Sequence, residues 1–165
     1  MFSSRIIAVS AIFAALTAIG AWISIPIFNV PFTLQTFFVY LSVLLLRKYA
    51  FISQGIYILM GLIGLPVFAM GKSAYAALLG PTGGYILGFF LGSFSGLLKR
   101  DVPSVFLCMT IIFGLGWLWL SYWIGFHQAF LIGVLPFIPW DLLKAILALT
   151  ISRRYFKSTE RIPFS

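Results

Sequence analysis

Asp141 and Lys144 are the residues with the clearest chemical potential. They end an uncharged run over 102–140, in the segment Pro139-Trp140-Asp141-Leu142-Leu143-Lys144. The i,i+3 spacing puts a carboxylate and an ammonium on one face of a helical first turn. An acid is also favoured there by the helix dipole. Ionisable groups inside a membrane are costly and mark functional sites by default. The same spacing serves equally as a self-satisfied cap and ion pair near the outer interface. Read as a site, the pair offers an acceptor for N–H groups and a cation for a carbonyl or anionic oxygen. A polar, mono-anionic small molecule fits that combination.

Other polar groups cluster where helices begin. Gly80-Pro81-Thr82-Gly83-Gly84-Tyr85 opens a helix, where free N–H groups and a tyrosine hydroxyl can face a ligand. Two connecting segments, 24–35 and 66–75, carry one charge between them, Lys72. Loops this apolar are expected to fold over the bundle as a lid or cavity wall. Thr33 and Gln35 would then be buried and would need partners. Chemistry beyond binding has little to work with. The 3 acids, 1 His and 1 Cys make no carboxylate pair, metal triad or nucleophile–base pair at suggestive spacing. Gly71-Lys72-Ser73 ends like a phosphate-binding loop, but Pro66 stands where that motif needs its first glycine. No cofactor or metal is expected.

The elements that position these groups must be membrane helices. The chain has 165 residues, 62% hydrophobic and 8% charged, with a net charge of +8 and a mean hydropathy of +1.10. Ordinary soluble domains carry about 25% charge, so a typical cytosolic enzyme is excluded. The basic residues are scattered in ones and twos, which argues against nucleic-acid binding. Charge-free stretches cover 6–46, 49–71, 73–98 and 102–140. A span needs about 20 apolar residues. The fold class is therefore all-α, with six transmembrane helices in one domain, roughly 5–25, 34–48, 49–65, 82–98, 103–124 and 139–156. Segment 126–138 reads as a loop or half-helix. Nine basic residues (Arg5, Arg47, Lys48, Lys99, Arg100, Arg153, Arg154, Lys157, Arg161) then share the side of the termini, against Lys72 and Lys144 opposite. That asymmetry predicts cytoplasmic termini.

Small residues recur every four positions. Gly80, Gly84, Gly88, Gly92 and Gly96 form one ladder, and Ala11/Ala15 and Ala14/Ala18 form two more on the first helix. Such faces permit close helix approach. On the first helix they serve either an internal seam or the docking of another membrane protein.

Four segments in order resemble the BioY family, the biotin-specific substrate-capture (S) components of energy-coupling-factor transporters. They are Val30-Pro31-Phe32-Thr33-Leu34-Gln35, Gly61-Leu62-Ile63-Gly64-Leu65-Pro66-Val67-Phe68, Leu79-Gly80-Pro81-Thr82-Gly83-Gly84-Tyr85, and Gly133 to Pro139 followed by Asp141-Leu142-Leu143-Lys144. The resemblance implies a six-helix S-component fold in the cell membrane and biotin bound near the outer surface. It implies ligand contacts from Asp141 and Lys144, with Tyr85, Thr82 and Gly83 nearby. Phe32, Tyr85 and Trp140 could pack the bicyclic ring, and Gln35 lies in a matching segment. It also implies docking through Ala11, Ala14, Ala15 and Ala18 on a transmembrane coupling subunit that works with two ATPases. Trp140 stands where the family commonly has a small residue, and would narrow the pocket or add a stacking face. A self-sufficient carrier, or a scaffold that binds no small molecule, remains open beside this reading.

Overall fold

The chain breaks into helices where proline, glycine or a strained turn forces it to. A computed structural model describes residues 3–27 and 30–158, so Arg161 of the basic set lies outside the described residues. The α-helices are α1 (Ser4–Trp22), α2 (Gln35–Leu46), α3 (Ala50–Leu62), α4 (Ala74–Leu78), α5 (Gly83–Gly92), α6 (Asp101–Ile124), α7 (Phe126–Gly133) and α8 (Ile138–Ser158). Short 3-10 turns occupy Arg47–Tyr49, Ala69–Gly71 and Ser93–Leu97.

Three stretches are long and apolar enough to cross a membrane, Ser4–Trp22, Gln35–Leu62 and Asp101–Ile124, and α7 with α8 forms a fourth, bent by 48°. The second stretch is not one rod. Gln54 Nε2 lies 3.4 Å from Ser42 Oγ, 12 residues away. Gln35 Nε2 lies 2.6 Å from Tyr57 OH, 22 residues away. A straight helix rises about 18 Å over 12 residues, so α2 and α3 must be an antiparallel hairpin. Its corner is Arg47, with φ 54 and ψ −123.

Several boundaries differ from the expected ones for local reasons. The first helix stops at Trp22, because Ser24–Ile25 turn extended and pair antiparallel with Phe32–Thr33, Ser24 opposite Thr33. The third stops at Leu62, because Gly64 takes φ +97 and reverses the chain. Segment 126–138 contains the full helix α7, set off from α6 by Gly125 at φ +84. The short helix α4 was not foreseen. Ser73 caps it by accepting from Ala76 N–H.

Gly84, Gly88 and Gly92 of the glycine ladder form the α5–α6 seam, while Gly80 lies against the Ala76 carbonyl and Gly96 against Arg47. A Cβ on Gly84 would come within 2.3 Å of Trp119 Cβ, and one on Gly88 within 2.7 Å of Ile112 Cα. One on Gly92 would lie 3.1 Å from the Cys108 carbonyl oxygen. The partner numbers fall as the glycine numbers rise, so the two helices run antiparallel and in backbone contact.

The two alanine rows of α1 separate. Ala14 and Ala18 are buried, while Ala11 and Ala15 are exposed. The expectation that all four dock a partner is corrected for Ala14 and Ala18. That row packs inward, beside buried Ser10, Thr17 and Ala21. A second internal tie is Gln54, fully buried, whose amide nitrogen reaches Thr17, Ser42 and Ser53 and so joins α1, α2 and α3.

Candidate functional site

Asp141 enters the interior from the first turn of α8, four residues after Phe137, whose carbonyl accepts its backbone N–H at 2.9 Å. Only 2% of it is exposed. A buried carboxylate needs donors on its lone pairs, and three are present. Thr36 Oγ1 donates to Oδ1 at 2.9 Å, Lys144 Nζ to Oδ1 at 2.7 Å, and Tyr40 OH to Oδ2 at 3.0 Å. Lys144 donates also to the Thr33 carbonyl at 2.7 Å and to Thr36 Oγ1 at 3.0 Å. An ammonium has three protons, so Lys144 is fully used. Thr36 links the pair by accepting from Lys144 and donating to Asp141. The ion pair thereby ties α8 to α2 and to the short strand before it.

A second polar chain runs beside the first. Gln35 Nε2 donates to Tyr57 OH at 2.6 Å, and Tyr57 OH donates to the Val67 carbonyl at 3.2 Å. It fastens the segment between α3 and α4 across the top of the bundle. Phe68 in that segment is fully buried, its ring edge-on to Tyr57 at 5.5 Å. Trp22 Nε1 donates to the Pro66 carbonyl at 3.0 Å. The 66–75 segment thus folds over the bundle as a cover.

Beneath the cover lies a cavity of about 60 Å³. Asp141, Lys144, Gln35, Thr33 and Thr36 supply its polar wall. Tyr57, Phe68, Tyr85, Phe89, Phe113 and Phe137 supply the aromatic one, and Lys72 reaches it from the cover. Aromatic faces with a few convergent polar groups are the usual construction of a small-molecule site.

The expected site residues fall unevenly around this space. Asp141, Lys144, Gln35, Thr82 and Tyr85 line it. Two of them have their hydroxyls committed elsewhere. Tyr85 OH donates to the Gly133 carbonyl at 2.8 Å and Thr82 Oγ1 to the Ala77 carbonyl at 3.0 Å, so Tyr85 contributes ring surface rather than a free donor. Phe32 acts from behind the wall, stacked on Phe137 with centroids 4.1 Å apart and an interplanar angle of 10°. Gly83 is corrected to a packing role, because a Cβ there would lie 1.9 Å from the Leu78 carbonyl oxygen. Trp140 is also corrected. It is 56% exposed and off the lining, so it neither narrows the cavity nor stacks within it.

Thr36, Tyr40, Tyr57, Phe68 and Lys72 are the participants that sequence reasoning missed. Thr36 and Tyr40 carried a usable signal: polar groups at i and i+4 within an uncharged span share one helix face. Lys72 carried another, as the single charge between Tyr49 and Leu98. Phe68 carried none, since its burial depends on how the cover folds back.

The chain is similar to known proteins over most of its length. The family model for BioY matches residues 1–161. A "Probable biotin transporter BioY" of Pyrococcus horikoshii is 45% identical over 148 residues, covering 87% of this chain and 91% of that protein. The "Biotin transporter BioY" of Thermotoga maritima is 44% identical over 156 residues, covering 88% and 92%. The crystal structure of the S-component for biotin from an ECF-type ABC transporter superposes with a TM-score of 0.83 at 29% identity, covering 95% of both chains. On the family match, the fold and the lengths covered, this chain is a multi-pass membrane protein that belongs to the BioY family.

Proposed function

We propose that this chain captures biotin on the outer side of the cell membrane and hands it over for import energised by a separate coupling module. The observation that carries the reading is the Asp141–Lys144 pair, nearly buried yet lining an aromatic-walled cavity. Biotin presents the matching chemistry. Its ureido ring has two N–H donors for a carboxylate and a carbonyl for an ammonium, its sulfur ring is apolar, and its side chain ends in a carboxylate. A scaffold that binds nothing would have no use for a cavity beside its ion pair.

The dimensions add a mechanism. About 60 Å³ of free space has room for a few waters but is far below the 300 Å³ or so typical of ligand pockets. Binding therefore requires the cover to lift. The 66–75 segment is suited to that, with one left-handed glycine just before it, Gly64 at φ +97, and one within it, Gly71 at φ +66. Opening breaks the Tyr57–Val67 and Trp22–Pro66 hydrogen bonds, and Lys72 moves with the cover. As the cover closes, Lys72 brings a cation to the carboxylate end of the ligand.

The reading includes six membrane passages with both termini cytoplasmic, on the nine-to-two distribution of basic residues. It includes a transmembrane coupling subunit and two ATPase subunits, met through the outward row Ala11 and Ala15. The chemistry of transport needs no catalytic group of this chain. Mass spectrometry of the purified protein after denaturation is expected to release biotin in near-stoichiometric amount. Uptake in cells should require the coupling subunits in addition to this chain. A preparation that carries no biotin and shows no heat on titration with it would overturn the proposal.

A further inference from the structure

A second cavity lies at the other end of the molecule. Its walls are the corner between α2 and α3 and the turn between α5 and α6. Gln35 and Tyr85, near the starts of α2 and α5, line the first site. Arg47 lies 12 residues along α2, about 18 Å away at 1.5 Å per residue. The second cavity has a volume of about 340 Å³, within the range of ligand pockets.

Its chemistry is cationic. Arg47, Lys48 and Lys99 line it. The one carboxylate at this end among the described residues, Asp101, is bound to Arg47 Nη2. Arg47 Nη1 is buried and has no hydrogen-bond partner among the described residues. Buried polar groups are nearly always paired, so this guanidinium edge carries an unmet donor among the described residues.

The backbone points the same way. Arg47 holds φ 54, a region that favours glycine. Such strain persists where the surroundings enforce it, and it gathers at functional sites. Here Gly96 enforces it: a Cβ on Gly96 would lie 2.3 Å from the Arg47 carbonyl oxygen, so the 93–97 turn clamps the corner directly. Glycine would relieve the strain at position 47 and arginine does not, which implies that the side chain is what the corner is built to present. Beside the cations, Leu97 and Leu98 are 63% and 40% exposed. A cationic cleft rimmed by bare leucines matches a molecule with an anionic head and a hydrocarbon body.

We propose that this cleft binds the phosphate of an anionic membrane phospholipid, with Arg47, Lys48 and Lys99 on the headgroup and Leu97 and Leu98 along an acyl chain. The shared chemistry with free phosphate is the oxyanion, and the leucines favour the lipid. Basic pockets on the cytoplasmic side of membrane proteins recruit such headgroups. The test uses the full chain in neutral detergent, titrated with phosphatidylglycerol, phosphatidylcholine or inorganic phosphate, and read by native mass spectrometry and by thermal melts. Phosphatidylglycerol should bind and raise the melt, and phosphatidylcholine should not. The double variant Lys48→Gln/Lys99→Gln removes two exposed cations and should weaken phosphatidylglycerol binding roughly thirtyfold, with an unchanged melt in the absence of lipid. Lys99→Gln alone should give an intermediate loss. Equal binding of the two lipids, or unchanged binding in both variants, overturns the site. Inorganic phosphate binding as tightly as the lipid overturns the lipid as occupant.

Discussion

Removing the Asp141–Lys144 pair one member at a time, and then together, separates what the pair does for the fold from what it does for a ligand. Asp141→Asn leaves the Lys144 ammonium facing only the Thr33 carbonyl, the Thr36 hydroxyl and a neutral amide. Lys144→Met leaves a carboxylate that keeps the Thr36 and Tyr40 hydroxyl donors. Asp141 is 2% exposed and the Lys144 side chain 14%, so bulk water has little access to the vacated partner. The sequence alone suggests a helix end that water can reach and a moderate cost; this burial raises it. Breaking a buried pair costs about 3–5 kcal/mol, or roughly 6–20 °C of melting temperature for a chain of this size. Lys144→Met should fall at the low end, because two hydroxyls still serve the carboxylate. The double variant Asp141→Asn/Lys144→Met carries no uncompensated charge and should recover most of the lost stability, since exchanging a buried pair for neutral groups is often close to neutral. Biotin affinity should not recover. Each charged hydrogen bond to the ligand is worth about 1.5–3 kcal/mol, so the double variant should bind at least a hundredfold more weakly. Melts of detergent-purified protein, with calorimetric titration of biotin alongside, read both quantities. A double variant that melts normally and binds biotin as the parent does would refute the ligand role. A double variant as unstable as the sum of its parts would refute the coupling.

Other expectations follow from particular contacts. Ala15→Leu should leave biotin binding intact and lower uptake in cells with the coupling subunits, whereas Ala14→Leu should destabilise the bundle by about 1–3 kcal/mol through overpacking, because Ala14 is fully buried; equal melts of the two would dissolve the distinction between the rows. Lys72→Ala should weaken biotin binding about tenfold, and the loss should shrink for the methyl ester of biotin, which lacks the anionic end; equal losses for acid and ester would remove Lys72 from that contact. Gly84→Ala should lower the melt sharply, because the new Cβ would sit 2.4 Å from the Leu115 carbonyl oxygen as well as against Trp119; a melt within a degree of the parent would show that the α5–α6 seam yields. A reporter fused after Ser165 should be active only in a cytoplasmic format, and activity only outside would reverse the proposed orientation.

The framework of helices was legible because charge marks water in a chain this apolar. The pairs Arg47-Lys48 and Lys99-Arg100 fall at turns, and the uncharged runs between them hold helices. Helix ends were less legible, since they depend on partners distant in sequence. Trp22 ends α1 because Ser24 finds Thr33 across a two-residue ladder. The site divides in the same way. Asp141, Lys144, Gln35, Thr82 and Tyr85 could be picked out as polar exceptions or as helix openers, and all line the cavity. Trp140 could have been placed by helical phase. Successive residues are about 100° apart on a helix, so a neighbour of an inward Asp141 points elsewhere, and Trp140 does not touch the cavity. The alanine rows had no such resolution. Two rows with identical period differ only in what packs against them, and α2 and α3 cover one of them.

The closure of the polar network bears on how such a site selects its ligand. Lys144 has no free proton, and both Asp141 oxygens have donors. A ligand therefore exchanges for bonds the protein already makes, and gains nothing by approaching a site in this contracted state. Enlarging 60 Å³ to ligand size separates groups that are now paired, at the cost of leaving buried donors and acceptors unmet, about 1–3 kcal/mol each. Only a molecule that offers N–H donors to Asp141 and oxygens to Lys144 offsets that cost. An analogue of the same shape without them faces an opened site whose own groups remain unsatisfied, and the network closes again without it. Selectivity then arises from the difference between two affinities and is set by contacts in the opened site, while the stability of the closed network, a cost common to every ligand, sets how tightly any of them binds. Weakening the closed network away from the Asp141 charge, as with Tyr57→Phe, should thus tighten binding of biotin and of an analogue lacking the ureido N–H groups by the same factor and leave the preference between them unchanged.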